Sequence, residues 1–217
     1  MKDLTIVKQL EEYNIYVFRL NCVNIVFLIT SILVAAYGLL LDNTDYILSS
    51  SIISIIINPM IAISIFIATN QFNKLNKPLY HTCLIILLSL VVSFSIGYIN
   101  ASYNYIKEPT EQMLIRGNFK KHFFSIEFII SIVCGFGMYY AIVKANIISM
   151  LGFILVFAIT PPITNAGLFY GMYFNGNSNM KDIDKYLEYG NNSFILCIVN
   201  LIGIIIGLSS ALLFNCN

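Results

Sequence analysis

The sequence predicts an all-α membrane protein of six transmembrane helices, arranged as a 3+3 inverted repeat with proline-broken spans 2 and 5. Three observations carry the prediction. Of 217 residues, 58% are hydrophobic and 11% charged, and mean hydropathy is +0.80; a soluble domain is about one-quarter charged. Six apolar segments follow one another with little chain between them, each near the roughly 20 residues that cross hydrocarbon at 1.5 Å rise. Two of the segments carry proline at their centres, in corresponding positions of the two halves.

Residues 1–21 form a short N-terminal arm, and 22–214 a single transmembrane domain. The first span, Cys22–Leu41, is too long for a cleavable signal peptide and no convincing small-residue cleavage site follows it. The second, Ile47–Thr69, carries Asn58-Pro59-Met60 at its centre. Proline lacks an N–H and leaves the carbonyl about one turn back without its usual partner, here that of Ile55. The third span is Leu79–Ala101. A short non-spanning helix over 109–116 follows: Pro109 suits the first helical position, Glu111 the first turn, Arg116 the last turn and Gly117 the C′ position. At about 12 Å it is too short to cross, which leaves a helix on the membrane surface or half of a re-entrant hairpin.

The fourth span is Phe123–Val143, with Glu127 near its start. The fifth, Ile147–Tyr170, is centred on Thr160-Pro161-Pro162, which would free the carbonyls of Phe157 and Ala158. The sixth, Ser193–Phe214, sets Asn200, Gly203 and Gly207 in one helical row, with Ser210 close by. Its Gly203-x-x-x-Gly207 spacing lets a neighbouring backbone approach closely.

Three spans per half turn the second half upside down relative to the first, so span 2 corresponds to span 5. Helices broken at matching depth are the sequence pointer to a transport site, because unpaired backbone in hydrocarbon costs several kcal/mol unless protein, water or a ligand meets it. Each break would offer a helix N-terminus with free N–H groups suited to an anion, and carbonyls suited to a cation. The expected site gathers Asn58, Pro59, Thr160, Pro161, Pro162 and Asn165 around one polar cavity near the midplane. Asn200 and Ser51 are second contributors, and Glu111 and Arg116 are the gating or linker charges. The plainer reading of the prolines is an ordinary pair of kinks packed against neighbours.

Other features point away from specialised chemistry. Cys22, Cys83, Cys134, Cys197 and Cys216 are scattered and read as small apolar thiols. With no clustered ligands, no metal or cofactor is expected. Six basic residues fall on one side (Lys2, Lys8, Arg19, Lys74, Lys77, Lys144) and six on the other (Lys107, Arg116, Lys120, Lys121, Lys181, Lys185), so charge gives no orientation. Tyr46, Tyr80, Tyr98, Tyr103, Tyr170 and Tyr173 read as an interfacial belt.

Four stretches resemble one known family. They are Gly38-Leu39-Leu40 with Ser49–Ile53 and Asn58-Pro59-Met60-Ile61; Pro109–Arg116; Ala158–Gly167; and Phe194–Ile205. In that order they resemble the motifs of the multispan membrane family catalogued as domain of unknown function 389, over about residues 30–214. The resemblance implies a fold rather than an activity. Ser51-Ile52-Ile53, Gly117-Asn118-Phe119 and Cys134–Gly137 depart from the family's pattern, and the expectation is a divergent, minimal member without the soluble N-terminal extension many relatives carry.

The function expected is an integral membrane channel or secondary transporter for an ion or small solute. The alternative is a structural or assembly membrane protein with no transport activity. No P-loop is present for ATP-driven transport. No His-Glu-x-x-His, paired intramembrane aspartates or deep histidine supports an enzyme. The expected partners are the lipid bilayer and an ion or small solute, with no nucleic acid; a homo-oligomer is left open.

Overall fold

A computed structural model describes residues 21–106, 108–118, 121–144, 147–157, 159–176 and 183–216. Residues 1–20 of the expected N-terminal arm, and Ala158, lie outside these. The described chain is helical throughout, in nine α-helices and one 3-10 turn, with no strand among the described residues.

Helix α1 (Cys22–Leu40) starts at Asn21, whose side chain accepts the Asn24 N–H at 2.8 Å. Asp42 takes a left-handed φ of 56° to turn the chain, a conformation its short polar side chain tolerates. Asn43 then caps α2 (Thr44–Ile53) by accepting from Asp45 and Tyr46. α2 ends where Ser54 turns extended, and α3 (Ile57–Ala68) leaves at 52° to it. A 3-10 turn (Phe72–Lys74) leads into α4 (Asn76–Tyr103), which stops at left-handed Asn104.

The short helix α5 (Glu111–Gly117) is followed by α6 (Lys121–Val143), α7 (Ile147–Phe157), α8 (Thr160–Asn175) and α9 (Ile183–Cys216). Gly176 ends α8 at φ 66°, the usual glycine stop.

The proline breaks exist, but slightly before the prolines. Pro59 is the third residue of α3, and Pro161 and Pro162 are the second and third of α8. The first turn tolerates proline because its N–H groups have no intrahelical partner anyway, while the ring clashes with the carbonyl four residues back. That excludes Ile55 from helix and ends α7 at Phe157. The Ile55 carbonyl is nevertheless not freed, since it accepts the Asn58 N–H at 3.2 Å.

Among the described residues, four helices are long and apolar enough to cross a membrane, and the bent pair α2–α3 makes a fifth candidate. The expected fifth segment resolves into α7 and α8, of 11 and 16 residues, each too short to cross alone. The last helix begins ten residues earlier than expected, at Ile183 rather than Ser193.

Two close-packed pairs organise the bundle. α8 lies on α4: side-chain carbons at Gly167 or Gly171 would strike Ser93 or the Phe94 backbone, and one at Gly97 would strike Leu168. α9 lies on α6: Gly203 meets Ser131, Gly207 meets the Ile132 backbone, and Gly135 meets Ile204. The Gly203/Gly207 row thus packs within the chain, as small residues let membrane helices do. α3 crosses to α9, α8 also touches α9, and α2 rests on α1. The main core runs through Leu28, Met60, Ile65, Met138, Ile163 and Ile204. A second core around Leu39, Met113, Phe169 and Tyr186 closes one end.

Candidate site between the helix breaks

The two breaks face each other. Ser51 and Ser54 from the end of α2, Ile56 and Ile57 from the start of α3, Ile154 from α7, and Ile159 and Thr160 from the second break line one cavity of about 20 Å3. That is room for a single water, and the walls are mostly apolar. Thr160 is only 2% exposed. Ser51 Oγ donates weakly to the Ile47 carbonyl at 3.4 Å, and Ser54 Oγ accepts the Ile56 N–H at 3.4 Å.

Of the expected site residues, the cavity therefore gathers Ser51 and Thr160. Pro59, Pro161 and Pro162 are buried beside it and Asn58 is half-buried on the first turn of α3, but none of the four lines it. Asn165 is fully buried elsewhere: its Nδ2 donates to the Met113 carbonyl and to Ser193 Oγ, both at 2.9 Å, joining α8 to α5 and α9. Asn200 does not face the broken helices. Its Oδ1 accepts from Ser131 Oγ at 2.9 Å, an ordinary link between α9 and α6. Sequence reasoning missed Ser54 and the isoleucines. A hydroxyl residue five positions before a buried proline was the available signal for Ser54; nothing singled out Ile56, Ile57, Ile154 or Ile159 among so many isoleucines.

The breaks are poor in donors. Pro59, Pro161 and Pro162 have no N–H. The N–H of Asn58 goes to Ile55, that of Ile163 to the Ile159 carbonyl at 3.4 Å, and that of Ile56 to Ser54. The prolines that break the helices thus also remove three of the expected N–H donors. Further along α8, Thr164 Oγ1 and Asn165 Oδ1 are buried without a hydrogen-bond partner.

The linker helix α5 does not cross the bundle. Thr110 rather than Pro109 starts it, accepting the Met113 N–H at 3.3 Å, and Gly117 is its last helical residue with Asn118 as the cap. Glu111 is exposed. Arg116 turns toward protein and donates from Nη1 to the Gln112 carbonyl at 2.8 Å and to Gln112 Oε1 at 2.9 Å. Burial lowers its pKa to about 10, since desolvation disfavours the charged form.

A family model described as domain of unknown function (DUF389) matches residues 51–206. No curated protein and no solved structure matches the chain.

Proposed function

Because this multi-pass membrane chain belongs to the DUF389 family, we propose that it is a channel or secondary transporter for an ion or small solute, whose path passes between the two helix breaks. The observation that carries this reading is their meeting across one cavity, with Ser51 and Ser54 on one side and Ile159 and Thr160 on the other. Irregular backbone at membrane depth is tolerated where protein buries it or a water-filled cavity meets it, and a one-water gap fits the closed state of such a path. The N–H groups missing at Pro59, Pro161 and Pro162 favour a cation, or a solute that donates hydrogen bonds, over an anion.

The reading includes six crossings and inverted halves. α7 runs back along α6, with Phe153 against Gly137. α8 ends beside the C-terminal end of α4, where Asn175 Nδ2 donates to the Tyr98 carbonyl and to Ser102 Oγ. The pair α7–α8 thereby carries the chain from one end of the bundle to the other. The exchange of partners is also reciprocal: α8 packs on α4, the last helix of the first half, and α3 on α9, the last helix of the second.

A second reading is a structural or assembly membrane protein; the apolar walls and the glycine-packed pairs favour it. A flux screen in proteoliposomes with alkali cations, chloride and small carboxylates separates the two. Flux that falls in a folded Pro59→Ala/Pro161→Ala double variant supports the path, whereas equal flux in that variant makes the breaks structural. No flux of any solute by the folded wild type leaves the assembly reading.

A further inference from the structure

The backbone of α5 is held from several sides. Thr110 Oγ1 donates to the Leu39 carbonyl at 2.6 Å, and Asp42 Oδ1 accepts the Gln112 N–H at 2.8 Å. At the other end Asn165 Nδ2 bonds the Met113 carbonyl at 2.9 Å, Ser193 Oγ the Arg116 carbonyl at 3.0 Å, and Asn192 Nδ2 the Gly117 carbonyl at 2.8 Å. The carbonyls that a helix C-terminus leaves open are thus met by side chains of α8 and α9.

The Arg116 side chain contrasts with this. Its hydrogen bonds run from Nη1 to Gln112, one turn back in its own helix, and it has no ion pair with a described carboxylate. Asp42, the acid tied to this helix, is engaged at the opposite end by the Gln112 N–H, and Glu111 faces outward. A guanidinium carries five N–H donors in a rigid fork. The two on Nη1 serve Gln112, which leaves the Nε–Nη2 edge, and that edge is not sealed inside the protein. A charge largely withdrawn from water without a counter-charge defaults to a functional role in a membrane protein. Here its backbone is fixed in place while the Nε–Nη2 edge of its fork is left open, as preorganised recognition requires.

The position narrows the ligand. α5 sits against Leu39 and Asp42 at the end of α1 and against Asn192 and Ser193 of α9, at the end of the bundle closed by the second core. The candidate span α1 ends there, so for a multi-pass chain that end is where headgroups and aqueous solutes would meet the protein. The open edge of the fork matches two oxygens of a tetrahedral oxyanion.

We propose that Arg116 is a phosphate-binding site at this face, holding a phosphate group bidentately on its Nε–Nη2 edge. A lipid headgroup and free phosphate present the same chemistry. The inference does not depend on the transport reading, because its test measures binding.

Melting of the purified full chain in neutral detergent is followed with inorganic phosphate against chloride at matched ionic strength, and with phosphatidylglycerol against an uncharged monoacylglycerol. At tenfold excess over Kd, one of the two phosphate probes is expected to raise the wild-type Tm by roughly 3–6 °C. The shift should vanish in Arg116→Gln and shrink in Arg116→Lys, which keeps the charge and loses the fork. A response to phosphatidylglycerol alone assigns the site to lipid, and a response to inorganic phosphate assigns it to a free anion. No shift of the wild type with either probe overturns the proposal. So does an equal shift in Arg116→Gln or, if that variant does not fold, an undiminished shift in Arg116→Lys.

Discussion

Two neighbouring residues on α8 separate a buried donor with partners, the Asn165 Nδ2, from a buried hydroxyl without one. Asn165 holds two partners on other helices through Nδ2, whereas Thr164 Oγ1 is buried with none. Asn165→Ala leaves the Met113 carbonyl without its side-chain donor, and we expect a loss of about 1–3 kcal/mol in equilibrium unfolding from mixed micelles. Thr164→Val keeps the shape and removes a hydroxyl that costs desolvation, so stability should hold or rise by up to about 1 kcal/mol. A clear loss for Thr164→Val would mean that the hydroxyl serves a bound water or solute. Arg116 adds a pH signature. Its folded pKa of about 10 lies below the ordinary 12.5, so the unfolded chain holds the proton more tightly above pH 10 and stability rises with pH in that window. In phosphate-free buffer the wild type should gain on Arg116→Gln as pH climbs from 9 to 11; a constant gap between them would show that the guanidinium is not desolvated.

At the scale of elements, the glycines decide which helices lock together. A methyl at Gly171 would drive into the Phe94 carbonyl, and nothing lies within 4 Å of the same methyl at Gly152. Gly171→Ala is therefore expected to cost about 1–3 kcal/mol by forcing α8 off α4. Gly152→Ala, inside α7, is expected to be neutral or to stabilise by up to about 1 kcal/mol through helix propensity. Thermal melting of the two variants side by side checks the contrast, and equal melting points would dissolve the α4–α8 pair as a rigid unit. The breaks themselves were legible because proline chemistry is local. Their offset toward the preceding residues follows from the tolerance of a first helical turn for proline, which shifts the start of each half-helix to two residues before Pro59 and one before Pro161.

For the whole molecule, the fifth segment decides the topology. If α7 and α8 together cross, Asn73 and Lys144 share one side of the membrane and Tyr105 and Phe174 the other. Single cysteines at these four exposed positions, in a cysteine-free background, are expected to label with an impermeant maleimide in that two-and-two pattern. Labelling of Lys144→Cys and Phe174→Cys from the same side would make α7–α8 a re-entrant pair and remove the inverted repeat.

The sequence by itself determined the class, the helices and the places where two of them had to break. Apolar length and the missing N–H of proline act within a turn or two of the chain. It also determined that Gly203 and Gly207 would sit beneath a close neighbour. Only the tertiary structure decided which neighbour, and it sent Asn200 to Ser131 and Asn165 to Met113 and Ser193 rather than to the cavity. The reason is that a buried polar side chain is positioned by whichever donor or acceptor the packing brings within about 3 Å. In this bundle that packing is set by glycine contacts between helices far apart in sequence, such as Gly171 on Phe94 and Gly207 on Ile132.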